Sequence, residues 1–226
     1  MSGERTLRYV ARMRCDLPEK FGLPRQSGLV PELVSEIVFE PEFRDPEALR
    51  GIEGFSHLWL IWEFSQAVRE DWSPTVRPPR LGGNTRMGVF ATRSPFRPNP
   101  VGLSCVRLLG VTPEGTLRVA GADLMDGTPI FDIKPYVPYA DAHPEALGGF
   151  APAEPESLPV DCPPALLEAL PEDKRAALLG ILAQDPRPRY HRDPQRVYAL
   201  SYAGHTVRFQ VEGDRVRVVE IRREQT

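Results

Sequence analysis

Six arginines, Arg77, Arg80, Arg86, Arg93, Arg97 and Arg107, fall within residues 72–113, a window that holds no lysine and no acidic residue in a chain carrying 31 acids in 226 residues. Arginine is abundant throughout, with 25 against three lysines, so the missing carboxylates are what single this window out. A guanidinium without a carboxylate neighbour in the chain suits a phosphate or carboxylate ligand, which it grips through two parallel hydrogen bonds. Pro95, Pro98 and Pro100 alternate here with Phe96, Arg97 and Asn99. Proline fixes its own φ and pushes the preceding residue toward extended conformations, so the loop is stiff. Stiff loops between strands are how scaffolds present binding sites. The bland alternative is a proline-braced surface loop with solvated arginines.

Asp123, Asp126 and Asp132 form a second cluster around the turn signature DGTP at 126–129. A hard cation wants more oxygen ligands at defined spacing, so these acids read as turn-stabilising and no metal is expected. The glycines of GGNTRMG (82–88) have the wrong spacing for a dinucleotide or phosphate loop, and neither a nucleophile elbow nor an H-E-x-x-H pair occurs. His57, opening an apolar run, reads as a hydrogen-bonded residue at a strand end. Cys15, Cys105 and Cys162, odd in number and widely spaced, form neither a disulfide framework nor a zinc pattern and fit a reducing compartment.

The elements that must position these residues are mostly strands. Period-2 alternation or short apolar runs bounded by Gly and Pro mark strands over 7–14, 33–39, 87–92, 101–111, 116–125 and 130–133. The run 56–64 is nearly continuous apolar and reads as a central strand buried on both faces. Asp45-Pro46-Glu47 starts a short helix through Arg50. Helices are expected over 165–170 and 171–184, and strands over 197–202, 206–211 and 215–221. The expected fold is mainly β. An antiparallel single-sheet, barrel-like N-terminal domain (1–145) and a small α+β C-terminal domain (164–226) flank a Pro/Ala-rich linker (146–163). No long apolar run marks a membrane span, and the first residues lack the apolar core of a signal peptide, so the cytoplasm is expected. At a formal charge of −3, nucleic acid must be met by a local basic face.

The run ATRSPFRPNPVGLS (91–104), with FSHLWLIWEF (55–64), PTVRPPRLGGNTRMGVF (74–90) and DLMDGTPIFDIKPYVPYAD (123–141), resembles the TrmO/TsaA-like family. The likeness extends to PRQ (24–26) and AQDPRPRY (183–190). Family members are S-adenosylmethionine-dependent tRNA methyltransferases that methylate N6 of threonylcarbamoyladenosine at position 37, in the anticodon stem-loop. The resemblance implies a single-sheet barrel and a homodimer with a shared cofactor pocket. It also implies adenosylmethionine contacts from Pro24, Arg25, Gln26, Ser65, Gln66, Arg93, Leu103 and the turn Asp126, Gly127, Thr128 and Pro129. Ser65 stands where some relatives carry histidine.

On that reading, the proton leaving N6 needs an acceptor, expected among Asp126, Asp132 and Tyr136. Arg93 and Arg97 suit the threonyl carboxylate or a phosphate, and Arg86, Asn99, Arg187, Arg189 and Tyr190 suit RNA. Two alternatives stay open: an RNA- or nucleotide-binding module without chemistry, and an enzyme acting on another adenosine.

Overall fold

Alternating apolar side chains build two large sheets, beside a two-stranded ribbon, in this computed structural model, which describes residues 3, 5–188 and 193–224. The strands among the described residues are β1 Ala11–Arg14, β2 Val34–Phe39, β3 His57–Glu63, β4 Thr75–Val76, β5 Met87–Gly88, β6 Val101–Val111, β7 Leu117–Ala120, β8 Pro129–Pro135, β9 Val160–Asp161, β10 Tyr198–Tyr202, β11 His205–Glu212 and β12 Arg215–Arg223. Three α-helices accompany them: α1 Pro138–Asp141, α2 Pro164–Leu167 and α3 Glu172–Ala183.

The first sheet runs β1-β2-β7-β6-β3-β8 and closes where β8 pairs with β1 (Ala11↔Ile130, Arg12↔Pro129). All of its pairings are antiparallel. Met13, Ile37, Leu58, Leu60, Val106, Leu117, Val119 and Ile130 fill its interior, as in small barrels, which are packed and not hollow. The mainly-β expectation therefore holds. β3 differs from its expected burial on both faces: Leu58, Leu60 and Trp62 point in, whereas His57, Trp59, Ile61 and Glu63 are half-buried. A closed sheet has an outside, where Trp59 Nε1 donates to Asp141 Oδ2 of α1 at 3.0 Å and its ring lies 5.8 Å from that of Tyr136.

Two expected strands are shorter. Over 87–92 only Met87–Gly88 pairs, with β4, and Val89–Ala91 turns as a 3₁₀ helix closed by Thr92, whose Oγ1 donates to the Val89 carbonyl at 2.9 Å. Over 116–125 pairing stops at Ala120 because Gly121 adopts φ +76°. A Cβ on Gly121 would also sit 3.3 Å from the Gly28 backbone, a tight contact that adds to the preference for glycine set by φ. Near residue 45, Asp45 accepts from the Glu47 amide at 2.9 Å, as an N-cap should, but the turn it caps is 3₁₀.

The second sheet, β10-β11-β12-β9, packs on α3. Residues 146–163 contribute β9, which runs parallel to β12. Leu178, Ile181, Leu182, Leu200, Tyr202, Val207 and Phe209 form this core, completed by Leu17, Val30 and Leu33 from the loop between β1 and β2. Gly180 permits that approach, since a Cβ there would lie 2.8 Å from Val30 Cγ1. Lys174 on α3 pairs with Asp16 at 2.6 Å across the same seam. The two sheets are thus joined by shared core.

Candidate functional site

A cavity of about 610 Å³ lies where β3 ends and β6 begins. Its floor follows from the β3/β6 register, which sets Trp62 opposite Gly102. The indole lies across the glycine so closely that a Cβ at residue 102 would be 2.2 Å from Trp62 Cε2. Phe64 braces the indole edge-on, with centroids 4.3 Å apart. Trp62 Nε1 donates to Ser104 Oγ (2.9 Å), and Ser104 Oγ donates to Asp123 Oδ1 (2.5 Å). Asp123 is open to the cavity but otherwise enclosed by protein, and this burial pushes its carboxyl above the ordinary aspartate range. The Ser104 hydrogen bond, backbone amides and the positive Arg93 act against that rise.

The proline loop forms one wall, with Arg93, Pro95, Phe96 and Arg97 on the cavity. Arg97 Nη1 donates to the Thr92 carbonyl (3.1 Å), tying the loop to itself, and the Arg69 guanidinium lies 3.9 Å over the Phe96 ring. Opposite, Arg93 donates to Gln26 Oε1, Gln26 donates to the Arg25 carbonyl, and Arg25 Nη2 donates to the Asp185 carbonyl at 3.1 Å. The segment 24–26 is therefore held from the proline loop on one side and from the end of α3 on the other. Gln66 Nε2 reaches Met125 Sδ at 3.4 Å and closes the remaining wall. Among the described residues, none of the six arginines of residues 72–113 has a carboxylate within 4.0 Å.

Of the residues expected to bind a cofactor, Pro24, Arg25, Gln26, Ser65, Gln66, Arg93, Leu103 and Thr128 line this one cavity, and Arg97 joins them. Asp126, Gly127 and Pro129 belong to the adjoining turn but do not line it. The Asp126 carboxylate accepts the Cys15 amide (2.9 Å), Gly127 N donates to the Met13 carbonyl (2.8 Å), and Pro129 is buried at the β1/β8 seam.

Two of the expected proton acceptors lie elsewhere. Asp132 stands opposite Ile61 on the outer face and pairs with Lys134 at 2.9 Å. The Tyr136 amide bonds to the His57 carbonyl, at the far end of β3. Arg86 reaches Thr75 Oγ1 (3.5 Å) on the β4–β5 ribbon, the Asn99 carbonyl accepts from Val101 (2.7 Å), and Arg187 pairs with Asp185 (3.0 Å). These three are outside the cavity, and Arg189 and Tyr190 lie outside the described residues.

Trp62 and Glu63 line the cavity without being expected there, and so does Asp123, expected only as a turn-stabilising acid. Glu63 accepts from the Tyr9 hydroxyl (2.9 Å), which raises the Tyr9 phenol above its ordinary pKa. Asp123 carried a readable signal: a lone acid in the apolar run VAGADLM (119–125) is costly to bury unless it has a use. Among the described residues, no group of three or more His, Cys, Asp or Glu side chains is placed to hold a metal ion.

A closed antiparallel sheet with one arginine-walled, nucleoside-sized cavity at its end defines a ligand-binding β protein built for an anionic or nucleotide-like molecule. Comparison with known proteins makes the class particular. The family model described as "tRNA-methyltransferase O N-terminal domain" matches residues 12–142, and "TrmO C-terminal domain" matches residues 155–224. The chain belongs to the TrmO family. It is 49% identical over 146 residues to the tRNA (adenine(37)-N6)-methyltransferase of Escherichia coli (strain K12), covering 63% of this chain and 62% of that protein. It is 48% identical over 151 residues to the putative S-adenosylmethionine-dependent methyltransferase RcsF of Pseudomonas aeruginosa, covering 67% of this chain and 62% of that one. The matched region thus spans less than two thirds of either relative's length. A crystal structure of TrmO from P. aeruginosa superposes with a TM-score of 0.82 at 34% identity, covering 99% of each chain.

Proposed function

We propose that the protein transfers a methyl group from S-adenosylmethionine to N6 of threonylcarbamoyladenosine at position 37 of tRNA. The observation that carries this reading is the cavity, in which segments far apart in the chain meet, in a family that includes the tRNA (adenine(37)-N6)-methyltransferase of Escherichia coli. Its residues fit the methyl donor. About 610 Å³ suits a molecule of that size, Leu103, Phe64 and Met125 offer apolar surface to an adenine ring, and both guanidiniums and carboxyls line the walls for a zwitterionic tail. Pro24, Arg25, Gln26, Ser65, Gln66, Leu103 and Thr128 would hold it, with the neighbouring turn Asp126, Gly127 and Pro129 as rim. When bound, adenosylmethionine supplies a methyl group activated by its sulfonium.

The chain's own contribution is placement. The proline loop holds Arg93 and Arg97 on the cavity wall, where a threonyl carboxylate or a backbone phosphate would dock, so orientation would carry most of the rate. Arg86 and Asn99, with Arg187, Arg189 and Tyr190 of the C-terminal part, are proposed to contact RNA. The division into two domains is supported by the gap between the two family matches, 143–154, which overlaps only the first half of the 146–163 linker. We further propose a homodimer in the cytoplasm. Leu103 at the cavity mouth is 57% exposed and Val101 36%, apolar surface that a second copy would cover. Light scattering at micromolar concentration tests that assembly.

A binding module without chemistry is favoured by one observation, the absence of carboxylates beside the arginines of residues 72–113. Calorimetry separates the two, since such a module would not bind adenosylmethionine. The decisive genetic test is nucleoside mass spectrometry of tRNA from a deletion strain. The N6-methylated threonylcarbamoyladenosine should vanish and return on complementation; unchanged levels would eliminate the proposal.

A further inference from the structure

Three features outside the assigned contacts bear on chemistry: the exposed aromatics Trp72 and Phe90, the Arg25–Asp185 tie between the two parts, and Asp123. Asp123 is argued furthest by its geometry. It lines the cavity, and among the described residues no cation lies within 4.0 Å of it. Backbone amides of Ser27 and Asp123 also bond its carboxyl, and the direction of the serine bond follows once the carboxyl is ionised. An indole nitrogen can only donate, so the Trp62 N–H occupies a lone pair on Ser104 Oγ. With Asp123 ionised, the serine proton points at its Oδ1, 2.5 Å away. Ser104 thereby engages Oδ1, and Oδ2 is the carboxylate oxygen that the serine does not bond. A relay that ends in an oriented basic oxygen on a cavity is the arrangement general-base catalysis requires.

We propose that Asp123 is the proton acceptor of the methyl transfer and that Ser104 and Trp62 are its positioning residues. The proposal rests on the methyltransferase reading of the cavity. N6 of the substrate shares its lone pair with the purine and the carbamoyl group, so it attacks well only as its proton departs. Nitrogen forms the bond to the methyl carbon, and the carbon–sulfur bonding pair stays on sulfur, which becomes a neutral thioether. The N–H bonding pair stays on nitrogen while the proton passes to the Asp123 carboxylate. One positive charge on sulfur and one negative charge on the carboxylate are lost together, so the step balances without a further reactant. Burial raises the carboxyl's proton affinity and makes it a better acceptor than a solvated aspartate. The other charged groups on the cavity are Lys20, Arg25, Glu63, Arg93 and Arg97, and Glu63 already serves the Tyr9 hydroxyl.

The test uses the full chain with three readouts on Asp123→Asn and Ser104→Ala. Asparagine keeps an oxygen for Ser104 to donate to, so the fold should survive; Ser104→Ala serves if it does not. Calorimetry should give adenosylmethionine affinity within about threefold of the unmodified protein. The single-turnover methylation rate at saturating adenosylmethionine should fall about a hundredfold or more in Asp123→Asn. In Ser104→Ala, which removes a bond that favours the charged carboxylate, the rising limb of rate against pH should move to higher pH. Carboxyl NMR of aspartate-labelled protein should show the Asp123 titration moving the same way, independent of turnover. A smaller fall in rate, or a lost adenosylmethionine affinity with an unchanged saturated rate, would overturn the assignment and make Asp123 a binding residue. An NMR titration unmoved by Ser104→Ala would overturn the relay. Failure of the unmodified protein to bind adenosylmethionine would instead overturn the methyltransferase reading, and this proposal with it.

Discussion

Replacing Gly102 by alanine tests the cavity floor. The added Cβ would stand 2.2, 2.5 and 2.6 Å from Trp62 Cε2, Cζ2 and Cδ2, distances at which the indole or the strand must move. The indole has little room. It is 7% exposed, its Nε1 is bonded to Ser104, and Phe64 meets it at 4.3 Å. Overpacking of this kind costs about 1–3 kcal/mol. Loss of the Trp62–Ser104 bond adds about 1 kcal/mol. Taking about 3 kcal/mol in total, a chain of this size should melt about 6–12 °C lower. Calorimetric melting of the variant, with Trp62 emission read in a Trp59→Phe, Trp72→Phe background, checks both halves of the reasoning. The emission should shift as the indole leaves its site, and adenosylmethionine affinity should weaken. A melting temperature within about 2 °C of the parent and unmoved emission would refute the account of Gly102.

Other outcomes follow from the same geometry. Arg93→Ala removes the bond to Gln26 and a cavity cation, so tRNA affinity at moderate salt should fall about tenfold, with Arg93→Lys recovering only part of it because the fork is lost. Filter binding across a salt series measures this. Cys15, whose thiol burial pushes up to about 12, should resist iodoacetamide at about pH 8 in the native protein and react only on unfolding, as peptide mapping would show. Asp123 is raised in the folded state, so its stabilising contribution is complete below the unfolded pKa of about 3.9 and is lost as pH rises through the folded value. Asp123→Asn should therefore match the parent's melting temperature near pH 4 and equal or exceed it near pH 7.5. A variant less stable than the parent at the higher pH alone would contradict that sign.

The strands were legible wherever period-2 alternation met a turn residue, as in 34–39 and 101–111, because one buried face writes itself into the sequence. Residues 24–26 and 65–66 were not legible from spacing. They are loop residues whose meaning comes from meeting across the sheet end, and resemblance alone pointed to them. Tyr136 shows the opposite failure. It lies ten residues from Asp126, which invites a shared site, but an extended strand advances about 3.3 Å per residue, so the seven residues of β8 carry Tyr136 about 20 Å along the barrel wall. Asp123 was read as one of three turn acids because sequence does not reveal that a serine 19 residues earlier, on β6, holds its carboxylate. The second core was half legible: α3 and the last strands announced it, but Leu17, Val30 and Leu33 come from the far end of the chain.

One measurement bears most directly on the claim that this cavity joins a methyl donor to an RNA base. Purified protein is incubated with methyl-labelled adenosylmethionine and tRNA that carries unmethylated threonylcarbamoyladenosine, and the digested nucleosides are resolved by mass spectrometry. The account predicts label on the N6-methylated threonylcarbamoyladenosine, and none when the tRNA lacks the threonylcarbamoyl group. Label on a different nucleoside, or no transfer by protein that demonstrably binds adenosylmethionine, would contradict it.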